Sequence, residues 1–282
     1  MINSRILISG ADFFANDAEI NPYYGDQAID VARAQAEHDA IRDLFKNVGI
    51  EVIQVAPPST SQDGVYTANW GLCRGEKCVL SRLPGPRKGE EARAAEVLRE
   101  LGKTLVHVPD DLKFSGQGDS LPYGRYLLAG SGYRSDPAAQ AFAAKTLGLE
   151  LVQLHAVPEL DTSGQPVTNA ATGWPDSFFY DIDLAIAVIR EDLIAYCPEA
   201  FDAASRDQIA ALPMEKIEVS LDEATRGFAC NLVSTGRDVV MSANAPQLQA
   251  ELEKRGLHVH TPEIHELAKG GGYIRCVSLT LD

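Results

Sequence analysis

The chain is poor in basic residues and has no long hydrophobic run. Its 282 residues include 25 Lys and Arg against 40 Asp and Glu, a formal net charge of −15. Nucleic-acid binding needs a Lys/Arg surface, so no nucleic-acid partner is expected. No window approaches the roughly 18 apolar residues of a membrane span, and the N-terminus, MINSRILISG, lacks signal-peptide regions. We predict a soluble cytoplasmic protein with no membrane partner; its acidity suits a cationic small molecule and equally serves solubility.

Cysteine is also scarce, and its spacing fits neither a disulfide framework nor a zinc site. There are five cysteines, an odd number, and Cys73 and Cys78 do not form a CxxC pair. We predict no metal site. Cys276 is treated separately below. The other four are expected to be buried small hydrophobic residues: Cys73, Cys78, Cys197 and Cys230.

What the chain does contain is a fivefold repeat. In each copy an apolar strand leads through an Ala-, Leu- and charge-rich stretch to a second apolar strand, and a short segment follows. The copies span Ile6–Pro57, Cys78–Pro109, Tyr126–Leu154, Leu193–Leu221 and Val239–Pro262. The following segments read VYTANW, FSGQGDSLP, FFYDIDLA, FACNLVS and GGGYIRCVSL. Such repetition indicates one supersecondary unit used five times.

Helical periodicity fixes the middle of each unit. Apolar residues recur at helical spacing in Val31–Val48, Glu90–Leu101 and Ala245–Arg255, and the last two stretches end at Gly102 and Gly256. The unit is therefore strand, helix, strand, with one more strand from the segment after it. No composition break marks a linker, so we predict a single α/β domain over residues 1–282.

Two loops depart from the repeat. Asn21–Asp30 is a polar, turn-rich insertion in the first unit, and His155–Trp174 is rich in Thr, Gly and Pro in the third. Long loops of this kind often act as lids or binding loops.

Equivalent segments of a fivefold unit should reach equivalent places. Five units around an axis would bring five polar or thiol side chains toward one central cleft: Asn69, Asp119, Asp183, Asn231 and Cys276. Cys276 follows Gly270–Gly272 and precedes a predicted strand, Val277–Leu281, which suits a nucleophile whose pKa a nearby cation such as Arg275 or a bound cationic substrate would lower.

A pair of acids marks the third of the five following segments, FFYDIDLA. In a strand over Phe179–Asp183, Asp181 and Asp183 would share one face, where mutual repulsion would keep one of them protonated near neutral pH. Such a pair suits cation binding, metal binding or divided acid and base roles.

These segments resemble the guanidino-modifying enzymes: arginine deiminase, dimethylarginine dimethylaminohydrolase and the amidinotransferase-like proteins. The resemblance covers nearly the whole chain and runs through Ile20–Asp26, VYTANWGL, Leu80–Glu91, FSGQGD, Gly130–Asp136, FFYDIDLA, Cys197–Asp202, Cys230–Val233 and GGGYIRCVSL. It implies the pentein fold, an α/β propeller of five ββαβ units around a pseudo-fivefold axis.

The resemblance also implies site residues. Cys276 matches the family's nucleophile, which attacks the guanidinium carbon to give a covalent amidino-enzyme. Asn69, Asp119 and Asp183 match substrate-orienting positions. Ser115, and Arg134 in the segment GSGYRSD, are expected to bind substrate as well. Carboxylates suit this task because they accept two parallel N–H bonds from a guanidinium.

Two positions depart from the family pattern. Asp181 stands where the family has its acid–base histidine, and Ser115 stands where it has the glutamate of Glu-Gly-x-Gly-Asp. None of the six histidines lies in a matched segment. His155 begins the long loop of the third unit and is the one histidine considered as able to reach the cleft. Asp181 is the candidate replacement acid–base group, or it supplies the cation-binding charge missing at Ser115.

The leading interpretation is a cysteine hydrolase that cleaves a C–N bond of a guanidino or amidine compound without metal or organic cofactor. Cys276 is the nucleophile, Asp181 the acid–base group, and Asn69, Asp119 and Asp183 orient the substrate. An amidinotransferase uses the same residues, and a binding protein that has lost catalysis keeps the same scaffold. A neutral ureido or amide substrate and a homodimeric assembly both stay open.

Overall fold

The computed structural model describes residues 2–25 and 27–282. Within these residues there are fifteen strands in five three-stranded sheets and six α-helices. The strands are β1 (Arg5–Ile8), β2 (Glu51–Gln54), β3 (Gly71–Arg74), β4 (Lys77–Leu80), β5 (Thr104–His107), β6 (Ser120–Tyr123), β7 (Tyr126–Ser131), β8 (Glu150–His155), β9 (Ile186–Arg190), β10 (Leu193–Tyr196), β11 (Glu215–Glu218), β12 (Val233–Ser234), β13 (Asp238–Val240), β14 (His258–His260) and β15 (Leu279–Thr280). The helices are α1 (Val31–Asn47), α2 (Gly89–Glu100), α3 (Pro137–Leu147), α4 (Ala203–Ala211), α5 (Leu221–Thr225) and α6 (Pro246–Lys254).

The helices agree with the periodicity of the sequence. The predicted stretches Val31–Val48, Glu90–Leu101 and Ala245–Arg255 correspond to α1, α2 and α6, each within one residue at either end. Gly102 and Gly256 follow α2 and α6 with φ of +80° and +76°, a left-handed conformation that other residues adopt only with strain. The glycines therefore end these helices as predicted.

The pairing of the sheets differs from the sequence prediction in one respect. Each copy contributes two parallel strands joined by a crossover, as in the pair β4 and β5, and the first of them pairs antiparallel with a third strand. That third strand comes from the segment before the copy, not from the segment after it. The prediction was wrong on this point because strand pairing is a tertiary choice that periodicity does not specify.

The last segment closes the series on itself. Strand β15 pairs antiparallel with β1, with Ile6 opposite Thr280 and Leu7 opposite Leu279. Asp282 reinforces this closure, since its Oδ2 accepts the backbone N–H of Ser4 at 2.8 Å. The first sheet therefore contains strands from both ends of the chain.

A cavity of ≈ 270 Å³ that opens to solvent lies among the antiparallel strands. Its wall includes residues of β3, β6, β9 and β15 and the residue directly before β12: Cys73, Leu121, Ile186, Thr280 and Leu232. Asp183 and Arg275 also line it. All five sheets thus contribute to one cavity whose lining includes Arg275, the residue before Cys276.

The loop of the third unit contacts the chain just before the insertion in the first unit. The loop over 155–174 contains the isolated bridge Leu160–Pro166, and Asn169 Nδ2 donates to the carbonyl of Glu19 (3.0 Å), just before the first-unit insertion. Asp26, the last residue of the predicted segment INPYYGD, lies outside the described residues. None of the helices described is long and apolar enough to cross a bilayer.

Candidate active site

Cys276 lies in a turn before β15 rather than at the start of a strand. The predicted strand Val277–Leu281 is reduced to Leu279–Thr280. The thiol is buried, with 2% of the residue exposed, and its Sγ is 3.5 Å from Oδ2 of Asp183. A carboxylate in contact with the sulfur is placed to exchange a proton with it.

Asn231 holds the turn that carries the thiol. Its Oδ1 accepts the backbone N–H groups of Tyr273 (3.2 Å), Arg275 (3.0 Å) and Cys276 (3.1 Å), and its Nδ2 donates to Cys276 Sγ at 3.2 Å. One buried amide therefore fixes both the backbone and the sulfur. The equivalence of the repeat segments correctly brought Asn231 to this place.

The glycines before Cys276 are needed for close packing. A Cβ on Gly272 would come within 2.6 Å of Cδ1 of Tyr66, whose hydroxyl donates to the carbonyl of Leu267 (2.6 Å). On the other side the hydroxyl of Tyr180 donates to the carbonyl of Gly271 (2.8 Å). Two tyrosines thus hold the glycine loop in place.

A second polar group surrounds Asp181. Its Oδ2 accepts a hydrogen bond from Asn69 Nδ2 (2.6 Å), and the same amide nitrogen is 2.9 Å from Ser115 Oγ. Asp119 Oδ1 accepts the backbone N–H of Ile182 at 3.2 Å. This bond joins Asp119 to the backbone directly after Asp181. The structure therefore brings Asn69, Ser115, Asp119 and Asp181 into one cluster.

The two acids of the FFYDIDLA segment do not share a strand face. Ile182–Leu184 forms a 3-10 turn, and the strand begins only at Ile186. The turn directs Asp181 to Asn69 and Asp183 to Cys276. The prediction of an extended strand was wrong because the segment needs to turn to reach both partners.

Two carboxylate oxygens in the cluster have no partner among the described residues: Oδ2 of Asp119 and Oδ1 of Asp181. Buried polar atoms are nearly always hydrogen-bonded, so each such atom needs an explanation. A planar cation with several N–H donors would supply the missing bonds. The orphaned oxygens therefore mark where such a ligand fits.

Gly118 allows this close approach of the side chains. A Cβ at this position would lie 2.6 Å from Oδ2 of Asp181 and would also meet the amide of Asn69. Contacts below 3.0 Å require something to shift. The glycine of FSGQGD is thus a packing requirement of the acid cluster.

Arg87 and Glu90 stabilise the cluster through hydrogen bonds to Asn69 and to each other. The sequence analysis did not identify either as a site residue. Arg87 Nη1 donates to Oδ1 of Asn69 (2.7 Å), which orients the amide nitrogen toward Asp181. Its other nitrogens bind Glu90 at 2.7 and 2.8 Å, and both side chains are buried. The only available signal was their position in the matched segment Leu80–Glu91.

Arg134 is buried and lies beside the cluster. Its guanidinium stacks 4.6 Å from the ring centroid of Tyr180, and Nη2 donates to the carbonyl of Ile20 at 2.5 Å. Its positive charge opposes the rise in the pKa of Asp181. Arg134 therefore acts on the site through charge and through the first-unit loop.

Burial raises the pKa of all three acids. For Asp119 and Asp183 the pKa lies well above the usual value because of burial first and the charge of Asp181 second. For Asp181 burial also raises the pKa, but Arg134, Asn69, Ser115 and Arg87 oppose the rise. Asp181 is therefore the acid whose anion is best supported.

The pKa of the Cys276 thiol is raised well above its usual value. Burial is the main cause, followed by the negative charges of Asp183 and Asp181. The predicted lowering by Arg275 was wrong for the unliganded protein; that guanidinium binds Gln117 Oε1 and Thr280 Oγ1, each at 2.8 Å.

Histidine takes no part in the described site. His155 ends β8, where its Nδ1 lies 3.1 Å from Ser131 Oγ, so it does not reach the cleft. His38 is buried in α1, and burial lowers its pKa to about 4.

Over residues 2–25 and 27–282 no group of three or more His, Cys, Asp or Glu residues is arranged to hold a metal ion. The four cysteines other than Cys276 are buried and free, as predicted.

Comparisons with known proteins agree with this geometry. Residues 11–281 match the family described as N,N dimethylarginine dimethylhydrolase, eukaryotic. The N(G),N(G)-dimethylarginine dimethylaminohydrolase of Mycobacterium tuberculosis is 34% identical over 98% of this chain and 85% of its own. The bifunctional arginine dihydrolase/ornithine cyclodeaminase ArgZ of Synechocystis sp. is 31% identical over 98% of this chain and 37% of its own.

A solved structure extends the likeness to three dimensions. The N-terminal domain of an ArgZ variant covalently bound to a reaction intermediate superimposes with a TM-score of 0.88 at 30% identity, over 99% of this chain and 97% of that chain. Family, fold and the placement of Cys276 beside buried acids agree. The resemblance read from the motifs is confirmed, and the chain belongs to the N,N-dimethylarginine dimethylhydrolase family within the guanidino-modifying proteins.

Proposed function

We propose that this protein is a cysteine-dependent hydrolase that cleaves a C–N bond of a guanidino or related amidine compound. The observation that carries the proposal is the Cys276 sulfur, 3.5 Å from Asp183, in a site with unpartnered oxygens on Asp119 and Asp181. A thiol in contact with one acid, beside a cluster with unpartnered acceptor oxygens, matches the needs of a planar cation under nucleophilic attack.

The relatives support water as the acceptor. The two reported above are named as a dimethylaminohydrolase and an arginine dihydrolase, and neither name describes a transferase. We therefore propose hydrolysis rather than amidino transfer, with a cationic small molecule as the substrate.

Binding of the cation starts the reaction. Its N–H groups donate to Asp119 Oδ2 and Asp181 Oδ1, and its positive charge offsets the carboxylates that keep the thiol protonated. The Cys276 proton then passes to Asp183, the carboxylate in contact with the sulfur. The thiolate is formed only when the substrate is present.

Attack and release follow. The sulfur adds to the guanidinium carbon, the C–N π electrons move onto nitrogen, and a tetrahedral intermediate forms. Collapse expels one nitrogen as an amine or ammonia, which takes a proton from an adjacent acid and leaves a thiouronium on Cys276. Water loses one proton to Asp181 and adds to that carbon to give a second tetrahedral intermediate. The C–S bond then breaks, the remaining hydroxyl proton passes to the departing sulfur, and a ureido product and the Cys276 thiol are released.

The two departures from the family pattern compensate each other. Replacing the family glutamate by Ser115 removes a carboxylate, and replacing the family histidine by Asp181 restores one. The structure places the two side chains within one hydrogen-bond cluster through Asn69 Nδ2. We propose that Asp181 both binds the cation and serves as the acid–base group of the second step, while Ser115 and Asn69 position it.

We also propose that the five sheets form a propeller around a pseudo-fivefold axis, and that residues 1–282 form one domain. The closing pair β1 and β15 and the cavity lined from all five sheets support this arrangement. The axis would pass through the cavity beside Asp183.

The test is a screen of guanidino, ureido and amidine compounds for ammonia or amine release by the wild type and Cys276→Ser. We expect at least one guanidino compound to be hydrolysed by the wild type only. Chloroacetamidine should alkylate Cys276 faster than it alkylates a free thiol. Turnover by Cys276→Ser, or alkylation no faster than that of a free thiol, would instead favour a binding protein without this chemistry.

A further inference from the structure

Two cysteines that take no part in the proposed reaction face each other across a β-hairpin. Strands β3 and β4 are joined by a two-residue turn, Gly75–Glu76, and Cys73 is paired directly with Cys78 in the register of the hairpin. Both thiols are free, and the two residues are buried. No other two cysteines of the described chain occupy paired strand positions.

The pair belongs to the class in which opposite residues of two antiparallel strands come closest. The backbone N–H of Ser81 donates to the carbonyl of Trp70 (3.4 Å), so hydrogen-bonded pairs alternate with non-hydrogen-bonded pairs from that position. Three pairs further on, Cys73 and Cys78 form a non-hydrogen-bonded pair. The Cα atoms of such a pair lie about 4.5 Å apart, and a disulfide spans about 4.4–6.8 Å. The backbone of the hairpin therefore suits a disulfide as it stands.

The space around the sulfurs is kept free by a glycine. Gly71 lies two residues before Cys73 on the same face of β3, and a Cβ there would come within 2.7 Å of Cys78 Sγ. The hydrogen bond to the Cys73 thiol is the main cause that raises the pKa of Cys78, and burial raises it further. The two thiols thus interact in the reduced protein, with Cys78 in its protonated form.

The two thiols differ in their access to solvent. Cys73 is among the residues that line the cavity of ≈ 270 Å³, which opens to solvent, whereas Cys78 is not. A small oxidant therefore meets Cys73 first. Cys230 also lines this cavity, but it precedes β12 and is not paired with either cysteine of the hairpin.

We propose that Cys73 and Cys78 are a redox modification site, at which a hydroperoxide produces a reversible disulfide without involving Cys276. The hydroperoxide transfers one oxygen to the Cys73 thiol, which becomes a sulfenic acid, and is reduced to an alcohol or, from hydrogen peroxide, to water. The Cys78 sulfur then attacks the sulfenic sulfur and the S–O bond breaks. The hydroxyl leaves with the Cys78 proton as water, so that two thiols and one peroxide give one disulfide, one alcohol and one water.

The cross-link lies next to the segments that carry the site. Strand β3 directly follows the turn that carries Asn69, and the carbonyl of Gly71 accepts the N–H of Gln117 (3.0 Å) from the segment that carries Asp119. A disulfide across this hairpin restricts the unfolded chain. Oxidation should therefore raise the melting temperature by a few degrees, and a thiol reductant should reverse the gain.

The experiment treats the folded Cys276→Ser protein with hydrogen peroxide, blocks the remaining thiols and digests the protein with trypsin in the absence of reductant. Cleavage after Arg74 and Lys77 places the two cysteines on separate peptides. We expect Asn47–Arg74 joined to Cys78–Arg82, at the sum of the two masses less two hydrogens. The thiols of the unfolded chain should fall from four to two, since five cysteines less Cys276 leave four. The wild type should give the same joined peptide.

Two variants test the order of the steps. Cys78→Ala should give no joined peptide, and its Cys73 sulfenic acid should be trapped by dimedone on Asn47–Arg74. Cys197→Ala, at a buried cysteine outside the hairpin, is the matched control and should form the cross-link at an unchanged rate. Thermal melts verify that each variant is folded, and the wild-type result decides the proposal if Cys78→Ala is not.

Two outcomes overturn the proposal. In the first, both hairpin thiols stay free at a peroxide dose that oxidises the methionines of the same protein. In the second, Cys73 is joined to Cys230 instead of Cys78, which would show that the cavity rather than the strand register selects the partner.

Discussion

Asp183, the acid in contact with the Cys276 sulfur, lowers the stability of the fold because its carboxylate is buried. Asp183 is fully buried, and burial with the charge of Asp181 raises its pKa. An acid whose pKa is raised by folding favours the folded state below its unfolded pKa, and that contribution is lost as the pH rises through the folded pKa. The carboxylate form of Asp183 therefore opposes folding, as is common for groups retained for function.

The first prediction follows from that sign. Asp183→Asn should raise the melting temperature by several degrees at pH 7, and the gain should shrink as the pH falls below the unfolded pKa of about 3.9, where the acid is protonated in both states. The same variant should lose activity, because an amide cannot accept the thiol proton. Melting curves across pH test this, with Asp17→Asn at an exposed site as control. A gain independent of pH would contradict the assignment.

The second prediction concerns the residue that replaces the family histidine. Asp181→Asn keeps an acceptor for Asn69 but removes the charge and the exchangeable proton. We expect kcat to fall about a hundredfold to ten-thousandfold, the usual contribution of acid–base help. Lys269→Ala should change kcat less than about twofold, since Lys269 binds Glu266 and the carbonyl of Ala28. Equal rates for the two variants would remove Asp181 from the mechanism.

At the scale of elements, the short segments between sheets position the polar side chains of the site. Thr67–Trp70 is a 3-10 turn directly before β3 and carries Asn69. Ile182–Leu184 is a 3-10 turn shortly before β9 and carries Asp183. Their sequences, TANW and IDL, have no periodicity, which is why a strand was expected instead. Helix α1, in contrast, was read from its apolar spacing because burial of one face follows that spacing.

The third prediction tests this positioning. Gly118→Ala places a Cβ 2.6 Å from Asp181 Oδ2, so the acid cluster must move apart. We expect kcat/KM to fall at least about tenfold, since a displacement near 1 Å is costly for a catalytic group. Gly85→Ala is the control, because a Cβ there meets nothing within 4 Å and its φ is ordinary. Unchanged activity of Gly118→Ala would show that the cluster is looser than its contacts indicate.

The sequence predicted those site residues that occupy equivalent positions in the repeat, but not those whose role depends on tertiary contacts. Cys276, Asn231 and Asp119 were found by their equivalent places in the repeat. Arg87 and Glu90 were missed, because their role depends on contacts with Asn69 and with each other across a turn and a helix start. Proton placement was also beyond the sequence, since the pKa values follow burial rather than spacing.

At the scale of the whole molecule, the closing strand pair joins the two ends of the described chain. Leu279 lies opposite Leu7, and both are fully buried in one core cluster with Trp70. Damage at this pair therefore affects the first and the last unit together. The fold should behave cooperatively rather than unit by unit.

The fourth prediction follows from this closure. Leu279→Ala should lower the free energy of unfolding by about 2–5 kcal/mol, the usual cost of truncating a buried leucine. Unfolding should remain a single transition, seen coincidently by tryptophan fluorescence and by far-UV circular dichroism. Two separate transitions in the wild type would contradict the single-domain proposal.

The most direct test is mass spectrometry of the protein quenched during turnover of a guanidino substrate. The mechanism predicts an adduct of one amidino group on the peptide that contains Cys276, formed and lost at rates consistent with turnover. Cys276→Ser should show neither adduct nor product. Product formation at full rate with no modification of Cys276, or turnover by the serine variant, would contradict the mechanism.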